Sequence, residues 1–594
     1  MTGLKSGIAL QKCALEGKVN GVAKYVLGCM LALVVAVTLS PVHSFDIFWQ
    51  LASGRYIVDS GAWLYHDPFT LAGPVGRFEH CWLHDLVVLG FYSVGGNAAL
   101  SFFKALLLSL AALMLILTAR ARKSSFSAIL FVFPFLFYLT QRGWLERPQL
   151  WTFAALTLYL LVLERFRQTP SRSIYWLIPL QLLWLNLHAG AILAYAILLA
   201  YGVGLAGDSL LKRVHPGGVA WRSFGLTCAA LALCLFATPY GWKPLKTLFG
   251  APSLGVSASG EGLFGHVYNM DWAATTWHEQ PYFYVIVILV LFMLLVHWRR
   301  VSLVDVCLLG GLALMGLKLN RHTPLFYFAA IAIVPRYLDA SADWIREKLL
   351  RATFKRFALG FLVVLLLQTG AAGWVVVTKY PIFKPGLREG HYPIAAAEFI
   401  QAEELSPQLF NAYEWGGYLI WKLYPDYQVF WDGRQTSTRM FSAGMSVLSA
   451  KPEWQELLDR YEVNTLVLDP CTMDNGQQYP LLGRLRTSEA WALVFAEGNT
   501  LVFVRNSSMP RDWVTAHRLP ASRIDDTVMS KTAQLIDENP KRFMAYWERA
   551  LIYYRRGDFP RALDAVRRNL ATAPVVHPNA LSLERMLSSL VGEQ

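Results

Sequence analysis

The chain has 594 residues, of which 55% are hydrophobic, 14% aromatic and only 16% charged. Soluble globular chains average about 45–50% apolar and about 25% charged residues, and the mean hydropathy of +0.36 agrees that most of this chain is built for a bilayer. Its aromatic content, 43 Gly, 28 Pro and seven Cys exclude disorder, collagen and a disulfide framework, and the net charge of +13 fits basic cytoplasmic loops better than a nucleic-acid footprint.

About eleven apolar runs are long enough to cross a membrane, at roughly 20 residues each. They lie near 24–43, 98–118, 126–141, 149–164, 174–187, 189–209, 221–238, 281–297, 301–318, 323–339 and 357–378. A stretch near 85–97 reads as an interfacial or re-entrant helix. With the first end inside, beside Lys5, Lys12, Lys18 and Lys24, every inner connection is basic. Arg120, Arg122 and Lys123 fall in one, Arg165, Arg167 and Arg172 in the next, then Lys212, Arg213 and Arg222, then Arg299 and Arg300, and last Arg336 to Arg356. That is the positive-inside pattern, and it places everything after about 380 outside. The first run reads as a permanent anchor, since no small-residue cleavage site precedes a soluble domain.

Three segments are expected: a transmembrane domain over 1–383 with a long first outer loop at 44–84, an external α/β domain over 384–517, and a helical tail over 518–594. In the middle segment, Asn464–Asp469 and Thr500–Arg505 are short, β-branched and bounded by turn residues, as strands are. In the tail, Tyr546, Ala550, Tyr553, Gly557, Ala562 and Pro574 match a tetratricopeptide consensus over 541–574. Half-repeats are expected at 526–538 and 577–591. The tail reads either as a hairpin packed on its own domain or as a dock for a protein partner. The fold class is therefore mainly α: a polytopic transmembrane helical bundle with an external α/β domain and a tetratricopeptide-like tail.

The polar residues near the membrane are expected on the outer side. The first outer loop carries Asp46, Arg55, Asp67, Glu79, His80, His84 and Asp85; later ones carry Arg142 with Arg147, then Asn186 with His188, and then Arg321 with His322. Ionisable groups at a membrane boundary are expensive, so their gathering on one side points to a polar cavity. Arg142, Arg147 and Arg321 suit a phosphate or diphosphate, which guanidinium grips through paired hydrogen bonds. Asp46 suits a general base toward an acceptor hydroxyl. Glu79, His80, His84 and Asp85 suit a divalent cation by ligand type, although no strict ligand spacing appears and the metal stays unassigned. The plainer readings stand beside these. Asp46 also reads as a helix cap, His66-Asp67-Pro68 as a turn, His188 as a group satisfying a helix end, and Arg147-Pro148 as a helix start.

These residues resemble the C-type membrane glycosyltransferases, in which a long first outer loop carries an Asp at the membrane edge. The matching segments are Asp46-Ile-Phe-Trp49, Gly54-Arg55, Asp67-Pro68-Phe69, His80-Cys-Trp82, Arg147-Pro148, Trp184-Leu-Asn186-Leu-His188, Pro239-Tyr240-Gly241 and Arg321-His322. Further on they are Asn411-Ala-Tyr-Glu-Trp415-Gly416-Gly417 and Trp431-Asp432-Gly433-Arg434. The resemblance implies transfer of a sugar from a polyprenyl-phosphate-linked donor to an external polysaccharide, lipid or protein, at the bacterial inner membrane. It puts Asp46 at the catalytic acidic position and Arg321 on carrier phosphate. Many such enzymes pair two acids closely, whereas Asp46 is followed by Ile-Phe-Trp, so Asp67, Glu79 or Asp85 would supply the second acid. His80, His84, Arg55, His188 and His322 are the remaining substrate-binding candidates. A lipid-linked glycan transporter and a non-catalytic assembly protein are the rival classes.

Overall fold

The computed structural model describes residues 25–73, 81–211, 220–241, 273–348, 383–388, 390–434 and 437–592. They fall into two compact units. One holds the apolar helices. The other holds residues from Arg388 onward, joined by Phe45–Tyr56 and the described part of 64–77. The first outer loop is thus divided between the units rather than being an appendage of the bundle.

In the first unit the helices are Tyr25–Thr38, Trp82–Ala121, Phe126–Leu139, Gln149–Gln168, Leu177–Leu187, Leu193–Leu210, Trp221–Cys234, Pro281–Val296, Leu303–Lys318 and Thr323–Lys348. Each expected run up to 323–339 overlaps one of them, while 357–378 lies outside the described residues. Trp82–Ala121, Ala189–Leu210 and Asn320–Ala342 are long and apolar enough to cross a membrane. The stretch near 85–97 differs from expectation. It continues into the next run as a single 40-residue element, broken where Gly95 and Gly96 leave helical geometry. Gly96 has φ +58, a left-handed conformation that costs glycine little.

Small residues bring helices close. An ideal Cβ on Gly204 would lie 2.4 Å from Cα of Val304, so the Leu193–Leu210 and Leu303–Lys318 helices touch backbone to backbone, as membrane helices do at small residues.

Acids are not confined to the end expected to face outside. At the other end of the bundle, buried Arg122 bridges Glu164 at 2.8 Å and Asp305, and Tyr337 donates to Asp305 at 2.6 Å. Arg167 donates to Glu164 at 2.9 Å and to Ser302 at 2.8 Å. Asp208 accepts from the Ser302 hydroxyl at 2.5 Å and from the Leu303 amide at 2.9 Å. An arginine drawn into an apolar bundle is tolerable only when paired, so these loop arginines bring carboxylates with them.

The second unit is α/β. Its five-stranded sheet runs in the order β2 (Gln428–Val429), β1 (Gln408–Asn411), β3 (Thr465–Leu468), β5 (Thr500–Arg505), β4 (Trp491–Glu497). The first three are parallel, and β5 and β4 form an antiparallel hairpin. The two expected strands are β3 and β5, and β3 is buried on both faces, which explains its unbroken apolar run. The first outer loop extends the β2 edge: the Val429 amide donates to Phe69 O at 3.1 Å and the Leu71 amide to Val429 O at 2.9 Å. That covers an edge which would otherwise expose unpaired backbone.

The tail is the helices Ser522–Glu538, Phe543–Arg555, Phe559–Thr572 and Pro578–Val591. Ile524, Val528, Leu535 and Ile552 enter the core under the sheet. Ala550, Ala562 and Val566 form a separate small core with Ala580 and Leu587. Gly557 has φ +74 between the two middle helices.

Candidate active site at the carboxyl ends of the parallel strands

The chain segments after β1 and β2 meet at one end of the sheet. Asn411 closes β1, and its side chain ties the two together. Its Nδ2 donates to Trp431 O at 3.0 Å, its Oδ1 accepts from the Phe430 amide at 3.0 Å, and Trp431 Nε1 donates to Asn411 O at 2.7 Å. The carboxyl ends of parallel strands are where α/β sheets place ligand-binding loops.

Gly416 and Gly417 begin the Gly416–Leu423 helix, and Gly416 has an ordinary helical φ of −52. Space is what requires glycine at this pair. An ideal Cβ on Gly416 would lie 2.2 Å from Trp431 O, and one on Gly417 would lie 2.8 Å from Phe45 O. The pair therefore lets the Trp431-Asp432 strand end and the Phe45–Trp49 segment close in from two sides.

Asp46, the first residue of the Asp46–Ser60 helix, is brought beside Gly433. Its Oδ1 would lie 2.7 Å from a Cβ placed there. Next along the turn, Arg434 donates from Nε and Nη2 to Asp432 at 2.7 and 2.6 Å, and its Nη1 lies 3.0 Å from Asp67 Oδ1. All three side chains are buried, and the rings of Phe69 and Trp49 lie 5.0 and 5.7 Å from the guanidinium carbon. The structure thus gathers Asp46, Asp67, Asp432 and Arg434. Asp67 Oδ1 also accepts from the Phe69 amide at 3.3 Å, and Oδ2 from the Thr70 hydroxyl at 2.5 Å, so this acid shapes its own turn. Arg55 stacks on Trp421 at 4.2 Å and donates to its carbonyl at 2.7 Å.

Two further acids follow the strands. Asp469, after β3, pairs with Lys531 at 2.7 Å, yet burial outweighs that cation and raises its pKa. Glu414, after β1, is pushed up to about 7, first by burial and then by nearby Asp469 and Asp474, against an opposing backbone hydrogen bond.

The remaining candidates belong to the helical unit. Arg142 Nη1 lies 3.4 Å from Oδ1 of Asn320, whose own turn carries Arg321 and His322, so these later-loop residues do come together. Arg147 precedes Pro148, which caps the Gln149–Gln168 helix. His188 Nδ1 pairs with the Thr152 hydroxyl at 2.7 Å and accepts from the Gly190 amide at 3.2 Å. His84 is buried and accepts from Trp151 Nε1 at 3.0 Å, and Asp85 is buried beside it in the chain. Glu79 and His80 lie outside the described residues. Among the described residues no group of three His, Cys, Asp or Glu side chains is placed to hold a metal ion.

One buried pair escaped sequence reasoning. Lys104 lies 2.5 Å from Glu146 Oε1 and donates to the Ser40 hydroxyl at 3.0 Å. Glu146 Oε2 accepts from the His43 and Ser44 amides at 3.1 and 3.2 Å. A lone lysine inside an apolar run was the available signal, because such a residue needs a partner.

Fold and site together define a mainly helical membrane protein that carries an acid-rich α/β unit. No family model matches the chain, and no characterised relative does. Solved structures that are similar include the oligosaccharyltransferase of Archaeoglobus fulgidus in its apo form, at 12% identity and TM-score 0.49, covering 76% of this chain and 70% of that one. ArnT of Cupriavidus metallidurans, solved with undecaprenyl phosphate, is similar at 13% identity and TM-score 0.45, covering 82% of this chain and 99% of that one.

Proposed function

We propose that this chain is an integral membrane glycosyltransferase moving a sugar from a polyprenyl-phosphate-linked donor to an external hydroxyl acceptor at the bacterial cytoplasmic membrane. The acceptor is a polysaccharide, lipid or protein. The observation that carries this reading is the approach of Asp46 to the Asp432-Gly433-Arg434 turn.

In the transfer, the acceptor oxygen bonds to the anomeric carbon as the bond from that carbon to the phosphate oxygen breaks. The bonding pair leaves with the carrier phosphate. Asp46 takes the acceptor's proton, the task of a general base. Arg142, Arg147 and Arg321 hold the phosphate, for which guanidinium is well matched, and the approach of Arg142 to the Asn320–His322 turn supports grouping them. Asp432 takes the place of the missing second acid near Asp46. Asp67 and Arg55 keep positioning roles, and Glu79, His80 and Asp85 remain candidates for orienting the acceptor. The 541–574 hairpin is a candidate dock for a protein partner.

The test is transfer of labelled sugar from a lipid-linked donor in reconstituted membranes. Asp46→Asn and Arg321→Ala are each expected to lose most transfer. Full transfer by both variants would falsify the assignment.

A further inference from the structure

At the end of the bundle that carries Arg122 and Arg167, the helices enclose a cavity of about 720 Å³. Its walls hold six cationic side chains, Arg122, Lys123, Arg167, Arg299, Arg300 and Arg336, against two carboxylates, Asp208 and Asp305. Asp208 is taken by Ser302 and Leu303, and Asp305 Oδ2 by Arg122 and Tyr337. Lys123, Arg299, Arg300 and Arg336 are exposed, and among the described residues none of the four makes an ion pair. The cavity is therefore electropositive.

Two residues of its lining hold a buried polar atom with no hydrogen-bond partner among the described residues: Arg122 at Nε and Asp305 at Oδ1. The residues themselves are 2% and 1% exposed. An unmatched buried donor and an unmatched buried acceptor are each costly, and one ligand that offers an anion beside a hydroxyl would satisfy both. The apolar surroundings suggest where it comes from. Trp176, Trp221 and Trp298 are exposed in the connections at this end, and exposed tryptophans mark the membrane–water boundary.

The geometry points to a binding site for a phosphate ester that carries a hydroxyl, such as the phosphoglycerol headgroup of an anionic lipid, at the end of the bundle away from Arg142 and Arg321. The guanidinium groups take the phosphate, and Asp305 Oδ1 accepts from the hydroxyl. Basic pockets between membrane helices are suited to anionic headgroups. This site is independent of the sugar-transfer reading, and its test does not read sugar transfer.

Short-chain phosphatidylglycerol, phosphatidic acid, phosphatidylcholine and glycerol phosphate are titrated into the full chain in a neutral detergent. Binding is followed by native mass spectrometry and thermal shift. Phosphatidylglycerol is expected to saturate one site, tighter than phosphatidic acid and at least tenfold tighter than phosphatidylcholine. Arg299→Ala with Arg336→Ala is expected to weaken it at least tenfold, whereas the charge-keeping Arg299→Lys with Arg336→Lys retains most binding, which separates ligand loss from misfolding. Glycerol phosphate binding as tightly as the lipid would support the same chemistry and assign the ligand to soluble esters. Equal binding of phosphatidylcholine, or unchanged binding by the alanine variant, overturns the inference.

Discussion

The two units bury charge in different ways. In the helical unit three buried carboxylates are matched by cations across helices: Glu164 and Asp305 by Arg122, and Glu146 by Lys104. In the α/β unit carboxylates outnumber cations at the strand ends, with Asp46, Asp67 and Asp432 gathered about the single turn that holds Arg434. Paired charges hold helices in register. After β1 and β3, burial raises the pKa values of Glu414 and Asp469, which provides groups able to accept protons.

The contrast can be broken first in the bundle. Lys104→Met leaves Glu146 buried without its cation, and the expected loss is about 3–5 kcal/mol of stability. Adding Glu146→Leu restores much of it, as read by thermal unfolding in detergent. No rescue would mean that Glu146 is needed mainly for the His43 and Ser44 amides. In the α/β unit, Arg434→Ala strands Asp67 and Asp432. Its expected cost is somewhat smaller, about 3 kcal/mol, because Asp67 keeps its Phe69 and Thr70 hydrogen bonds.

Packing comes next. Gly416→Ala drives a methyl into the Trp431 carbonyl, and overpacking of this kind costs about 1–3 kcal/mol. The smallest effect is on pH. Glu414 holds its proton to about pH 7 in the folded chain, whereas an unfolded glutamate releases it near 4.3. The folded state therefore binds more protons between these values, and stability falls as pH rises through that window. Glu414→Gln should flatten this slope. A slope unchanged in the variant would show that Glu414 is not its source.

The apolar helices were legible because a bilayer demands long apolar runs, and β3 and β5 because their β-branched runs end at turn residues. The Gly95–Gly96 break was hidden, since glycine in an apolar run does not announce a kink. Gly416 and Gly417 answer to the nearby Phe45 and Trp431 carbonyls, which no local pattern reveals. Asp46 was picked out from its place in the first outer loop. Its neighbours Asp432 and Arg434 lie far along the chain, and only folding brings them beside it. The acids Glu164, Asp208 and Asp305 were hidden for the same reason: each takes its meaning from partners on other helices.

The central claim is that Asp46 is the base of a sugar transfer. The most direct measurement compares Asp46→Asn with the unmodified chain in one reconstituted preparation, reading both the transfer rate and the affinity for the lipid-linked donor. The account predicts a rate at least about 100-fold lower, the lower end of what a general base contributes, with donor affinity unchanged. A variant that transfers sugar at the full rate would contradict it.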